Sequence, residues 1–165
     1  MKVIRRKRNP KNLKIIREND PPRLSSEEKV ELTLSKSVKE NLKKFKAFLE
    51  ESSDAVFREF KLGTLGIPCA LVYIDGLVDK NLVHNNILKG LMYEITLLES
   101  GRNRPVKLDE AFDIVKEHAL TVAEVKEADS LDEAMNFVMS GEVALMVEGV
   151  NKIIIVGAKE WPQRS

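Results

Sequence analysis

The sequence predicts an α/β chain of the α+β kind, with a mixed β-sheet of about five strands flanked by about four helices. Three observations predict it. The run IPCALVYI, residues 67–74, is apolar nearly throughout and of strand length, which fits a central strand covered on both faces. Helical-period stripes such as Val38, Leu42, Phe45 and Leu49 alternate with strand-like runs along the chain. The stretch EVALMVEGVNKIIIVGA reads as two short strands joined by a turn, so at least one antiparallel hairpin is expected.

Taken in order, residues 1–34 are polar and broken by Asp20-Pro21-Pro22 and Ser25-Ser26-Glu27-Glu28. They read as a basic, flexible tail and linker, with a short strand near 30–34. Residues 35–165 are the domain. Ser37 is placed to cap the first helix, and Glu40, three residues on, completes a capping box. That helix is expected to run to about residue 51, with an ordinary solvated outer face. Residues 55–61 alternate as a strand, and Gly63 and Gly66 turn the chain into 67–74. The second helix starts after Asp79; Val83, Ile87, Leu91 and Ile95 make its ridge, and the pattern continues to about residue 99. A loop at 101–105 precedes a third helix, 108–118, whose buried side is Ala111, Phe112, Ile114 and Val115. A strand is predicted at 121–125. A second capping box, Ser130 to Glu133, opens a helix over 131–139 that Gly141 ends. Strands over 143–147 and 152–156 close the series, joined by Glu148-Gly149-Val150-Asn151.

With 165 residues, the chain has room for one domain with tails. One Trp and two Tyr among 43% hydrophobic residues imply an aliphatic core. The single cysteine, Cys69, excludes a disulfide framework or a cysteine zinc site within one chain and fits a reducing compartment. Two histidines, His84 and His118, make a histidine-rich metal site a poor fit, and no cofactor is expected. No apolar stretch approaches the roughly 20 residues of a membrane-spanning helix, and none forms the core of a signal peptide. The chain therefore reads as soluble and unexported. Its end, just beyond a strongly hydrophobic strand, looks like a cut within a longer protein.

The net charge of +1 hides a segregation. Residues 1–17 carry eight basic side chains, among them Arg5, Arg6, Lys7 and Arg8, and no acid. The rest of the chain holds 19 basic against 26 acidic residues. Such a tail suits an anionic surface, lipid or nucleic acid; the plainer reading is a solubilising arm. Nucleic acid is not the expected partner, because no stacking aromatics or recognisable module accompany the charge.

The residues that could carry chemistry are few. Asp75 and Asp79 sit between a strand end and a helix start, where carboxylates are pre-positioned for cations or phosphoryl groups. Each also has a structural explanation: Asp75-Gly76 is a turn pair and Asp79 is well placed as an N-cap. No phosphate-binding glycine motif follows a strand. Cys69 lies in a strand expected to be buried, so a structural thiol is the better reading. His84 reads as a surface residue, while His118, closing the third helix, suits the helix dipole. Glu148 and Asn151 on the final hairpin and the lone Trp161 remain as possible ligand or partner contacts. Trp161 either packs against a missing segment or partner or caps the local core.

Two long stretches, LGIPCALVYIDGLVDKNLVHNNILKGLM and LTVAEVKEADSLDEAMNFVMSGEVALMVEGVNKIIIVGAKEWPQRS, resemble the N-terminal soluble domain of spore germinant receptor A subunits. The resemblance covers roughly residues 36–165. Its most specific pieces are Tyr73 through Asp79, Asn86-Ile87-Leu88, Ser140-Gly141, and Trp161 with Arg164-Ser165. Gly90 stands where many relatives have proline, and Glu148 where they often have aspartate. The resemblance implies the first part of a two-subdomain soluble region, followed by a membrane-spanning part. It implies a non-enzymatic role in nutrient sensing and signal transduction at the spore inner membrane, with this domain on the cytoplasmic side. The implied partners are B- and C-type receptor subunits, further copies of the chain and, as an alternative function, a nutrient germinant. A divalent-metal enzyme using Asp75 and Asp79 is the more distant rival.

Overall fold

The computed structural model describes residues 33–63, 66–94 and 107–159. Within them the chain forms helix α1 (Val38–Phe48), strands β1 (Ala55–Leu62) and β2 (Ile67–Ile74), and a wide helix α2 (Leu82–Leu88 continued by Gly90–Glu94). Helix α3 (Leu108–Leu120), strand β3 (Val125–Ala128), helix α4 (Leu131–Met139) and strands β4 (Val143–Val147) and β5 (Ile153–Val156) follow. The five strands make one sheet in the order β1-β2-β4-β5-β3. The α+β class and the five strands are as expected; where the sequence predicts a mixed sheet, every pairing is antiparallel. Strands β1–β2 and β4–β5 are sequential antiparallel pairs, β2 joins β4 across the intervening chain, and β5 lies between β4 and β3.

Alternation along the central strands builds two cores. Cys69, Leu71 and Tyr73 of β2, Val143, Leu145 and Val147 of β4, and Ile154 and Val156 of β5 face α2 and α3. Ala70, Val72 and Ile74, with Ala144 and Met146 and with Ile153 and Ile155, face α1 and α4. Helices thus cover the sheet on both sides. From α1, Val38, Leu42 and Phe45 enter the second core; from α4, Leu131, Ala134 and Val138 do. On the other side Val83, Ile87 and Leu91 of α2 meet Ala111, Phe112 and Val115 of α3. These α2 residues recur every four positions. A wide turn, with the Lys89 N–H reaching the His84 carbonyl five residues back, keeps that spacing on one face.

Local chemistry fixes the helix starts. Ser37 Oγ accepts from the Glu40 N–H at 3.3 Å, and Ser130 Oγ accepts from the Glu133 N–H at 3.4 Å. The reciprocal halves differ from the expected boxes. The Ser37 N–H donates to Ser35 Oγ, and Glu133 accepts from the Asp129 N–H rather than from that of Ser130. Helix α1 ends three residues earlier than about residue 51, the expected end: Leu49 donates the last helical bond, to the Phe45 carbonyl, and its own backbone leaves the helical conformation at φ −102° and ψ 15°.

The expected strand over 121–125 is displaced. No breaker follows His118, so α3 continues to Leu120, and the Thr121 hydroxyl then donates to the His118 carbonyl at 2.6 Å. Strand β3 begins only at Val125, opposite Val156, and carries Ala128 into the core. The strand expected near 30–34 lies mostly outside the described residues; Thr33 and Leu34 themselves are not in a strand. Leu34 is buried, and Asn41, also buried, clamps the approach to α1. Its Oδ1 accepts from the Ser35 N–H at 2.8 Å, while its Nδ2 donates to the Ser35 carbonyl at 2.7 Å. Lys44 adds a bond to the Thr33 carbonyl.

Leu145 lies at the middle of β4 with no exposed surface, whereas Leu120 at the end of α3 is 54% exposed. Chemical denaturation should therefore show Leu145→Ala costing about 2–5 kcal/mol. Leu120→Ala should stay within about 0.5 kcal/mol of the parent.

Candidate functional site

The antiparallel registers divide the polar candidates between opposite ends of the sheet. Pairing of Cys69 with Val147 puts the 148–151 hairpin beside the start of β2. Pairing of Val143 with Val156 puts the chain beyond β5 beside the end of β2. The 75–79 turn and the 148–151 hairpin are therefore not brought together, and no site is shared between them.

At the first end, Gly76 takes a φ of +88°, and the Leu77 N–H closes onto the Ile74 carbonyl at 3.2 Å. A positive φ at the third residue of such a turn is the conformation glycine supplies at no steric cost. Asp75 forms an ion pair with Lys80 at 2.9 Å, on a partly exposed surface. The hydrogen bond from Lys80 holds its carboxyl below the ordinary value. Asp79 Oδ1 accepts from the N–H groups of Asn81 and Leu82, at 3.0 and 3.3 Å, so its carboxylate caps α2. Its own N–H donates to the Ala158 carbonyl at 2.7 Å, and Val78 bridges to Lys159. The turn is thereby sewn to the strand along which the described chain leaves the domain.

Two contacts escape sequence reasoning here. Tyr73, buried on β2, approaches His84 with Oη and Nε2 at 3.4 Å. Burial, chiefly, with the Asp75 charge beside it, pushes the Tyr73 hydroxyl pKa up. Farther along α2, the His118 imidazole lies against Gly90, where any Cβ would overlap the ring, and its Nε2 is 3.4 Å from the Asn86 carbonyl. Glycine at 90 leaves room for the ring in this position; a side chain there would displace the imidazole. The proximity of 73 to 84 follows from a strand–turn–helix return, but nothing in the spacing identifies the 90–118 contact.

At the other end, Glu148 Oε2 accepts from the Val38 N–H at 3.0 Å, placing a carboxylate on the N-terminus of α1. Its backbone N–H donates to the Pro68 carbonyl, and the Gly149 N–H donates to that of Lys36. Asn151 is exposed. An open groove of about 560 Å³ runs between the start of α1 and strands β1 and β2. Lys39, Glu59, Lys61 and Glu148 supply its charge, and Cys69 lies in its wall. Burial and, secondarily, the Glu148 charge push that thiol up to about 12, so it is no nucleophile near neutral pH.

Trp161 and the basic cluster Arg5, Arg6, Lys7 and Arg8 lie outside the described residues. Among the described residues no three His, Cys, Asp or Glu side chains are grouped to hold a metal ion. Both turn aspartates already have partners, a helix N-terminus for one and an ammonium for the other. Replacing Asp79 with Ala should lower stability by about 0.5–2 kcal/mol, read by chemical denaturation. Asp75→Asn should change it little at neutral pH, as expected of an exposed pair. Because Lys80 holds the folded Asp75 carboxyl below its ordinary value, its small contribution is present above the ordinary carboxylate range and fades as pH falls through the lowered value. The Asn variant should lack that acid-side loss.

The family described as Bacillus/Clostridium GerA spore germination protein matches residues 43–165. The chain is 23% identical over 134 residues to spore germination protein GerLA of Bacillus cereus, covering 81% of this chain and 25% of that protein. Spore germination protein KA of Bacillus subtilis is 29% identical over 133 residues, covering 80% and 23% of the two chains. Stage V sporulation protein AF of the same organism is 31% identical over 139 residues, covering 84% and 26%. The chain thus spans about a quarter of the length of these relatives. Among solved structures, the N-terminal domain of the A subunit of the Bacillus megaterium spore germinant receptor GerK3 superposes with a TM-score of 0.63 at 29% identity. That match covers 78% of this chain and 49% of the other. No helix among the described residues is long and apolar enough to cross a membrane. The chain belongs to the GerA family of spore germination proteins, and its fold is that of the N-terminal domain of a germinant receptor A subunit.

Proposed function

We propose that this domain takes part in the signal transduction that triggers spore germination, by coupling nutrient sensing to the rest of a receptor A subunit or by assembling the receptor. It acts without catalysis, on the cytoplasmic side of the spore inner membrane, as the first of two soluble subdomains. The observation that carries the reading is the character of the end where the chain leaves the sheet. Phe48, Leu77, Leu120 and Met139, at 42–57% exposure, all project from helix ends or turns at that end of the domain. An end studded with apolar side chains, sewn by Val78 and Asp79 to the departing strand, suits contact with following chain or with B- and C-type subunits. The basic tail, Arg5 to Arg8 included, supplies about 1 kcal/mol per cation at an anionic lipid surface.

The test is made in spores carrying the complete protein. Charged replacements at Leu120 and Met139, both exposed, should slow nutrient-triggered ion release while leaving the subunit present at its usual level. Unaltered release kinetics in the double variant would overturn coupling through this end. For the tail, flotation with anionic vesicles should fall sharply when residues 1–17 are removed; equal flotation argues against a lipid role.

The groove at the other end favours a second reading, a small-molecule-binding module. Lys39 and Lys61 suit a carboxylate, and Glu59 and Glu148 suit an ammonium, which together fit an amino acid. Saturable heats in calorimetry against amino acids and sugars, lost in Lys61→Ala, are the expected result; silence across the panel removes this alternative.

A further inference from the structure

We infer that the outer surfaces of α1 and α4 form one self-complementary patch, on which a second copy of this chain docks about a two-fold axis. The inference stands on the charge of two adjacent helices and does not depend on the receptor role. Both helices cover the same side of the sheet and lie side by side. Residues 36–48 carry five lysines and one acid, Glu40. Residues 129–140 carry Asp129, Asp132 and Glu133 and no base. Lys36, Lys39, Lys43 and Lys46 are exposed, and so are the three acids. Among the described residues no carboxylate pairs with Lys36, Lys39 or Lys43, and no ammonium pairs with Asp132 or Glu133.

The direction of the helices decides how two such patches meet. Helix α1 starts beside the 148–151 hairpin, where the Val38 N–H meets Glu148. Helix α4 starts at that end too, since Ala128, just before it, pairs with Ile153. The two therefore run the same way, with Lys36 and Lys39 of one and the acids of the other toward the hairpin end. A half-turn about an axis parallel to both, lying above the cleft between them, carries α1 of the second copy over α4 of the first. The same operation lays α4 over α1 and keeps the starts level, so lysines meet acids twice. Phe48 and Met139, exposed at the finishing ends, are brought level in the same way. An axis that lays α1 on α1 sets lysine against lysine instead, and like charges in contact disfavour it. Helices of 11 and 9 residues are about 16 and 14 Å long. Side by side about 10 Å apart, they present less than the roughly 800 Å² per partner of a standard interface. The dimer is accordingly weak, and charge rather than area selects the partner.

Sedimentation equilibrium of the 165-residue chain, from about 10 μM to about 1 mM, reads the dimer. In low salt the mean mass should rise with concentration toward twice that of the chain. In about 1 M salt, where the Debye length is about 3 Å, the association should weaken several-fold. The pair Lys36→Glu, Lys43→Glu should leave the chain monomeric, and so should the pair Asp129→Lys, Asp132→Lys. Mixed in equal amounts, these two variants should dimerise with each other, because each offers the charge that the other lost. One chain bearing all four replacements should regain self-association. All four positions are exposed, and circular dichroism verifies that the fold persists. A parent chain that stays monomeric across the whole range overturns the docking. So does a dimer that survives either pair of replacements, which would place the contact on another surface. Two monomeric variants that fail to pair when mixed overturn it as well.

Discussion

Three adjacent strands, β2, β4 and β5, put nearly every residue into one of two cores and leave the sheet no wet face. Hydrophobic burial on that scale requires helices on both sides, and the alternation of side chains decides which residue serves which core. Polar chemistry is thereby expelled to the two ends of the sheet and to its edges. Strand β1 shows the edge solution, with Arg58, Glu59 and Lys61 exposed along an otherwise paired strand. Charge on an edge discourages a further strand from adding to the sheet.

At the ends, three acidic residues are committed to backbone. Asp79 caps α2, Glu148 caps α1 from the far hairpin, and Glu110 accepts from the Lys107 N–H at the start of α3. A carboxylate at a helix N-terminus satisfies donors that have no partner within the helix and meets the positive end of the dipole. These commitments explain why residues with the look of an active site are instead part of the frame. In the groove beside Glu148, charges of both signs face an open volume of about 560 Å³.

Much of this was legible from the sequence, and the exceptions have physical causes. The unbroken apolar run of β2 announced a strand covered on both faces, and Ser37, Asp79 and Ser130 announced helix starts. Asn41 could have been found as well: three residues after Val38, it falls on the buried side of α1, where a polar group must be bonded. The pairing of β2 with β4 was not legible, because local periodicity carries no information about which strands become neighbours. For the same reason nothing in the spacing joined Glu148 to Val38, 110 residues apart. The late start of β3 was missed because an apolar run after a helix fits either a further helical turn or a strand. The split of the candidate residues between two ends is a consequence of register, which exists only once the sheet is assembled.

Asn41 and Lys44 hold Ser35 and Thr33 against α1 so that the approach runs back along the helix, antiparallel to it. The described chain is consequently tethered at Thr33 partway along α1 and not at its start. The tether has a mechanical character. A pull on Thr33 directed away from the helix would load its own bond first, then draw Leu34 from its core, and reach Ser35 only afterwards. Such peeling breaks its bonds one at a time, at about 1 kcal/mol for each hydrogen bond, whereas shear would load them together. The approach segment is therefore built to detach before the helix behind it feels any force.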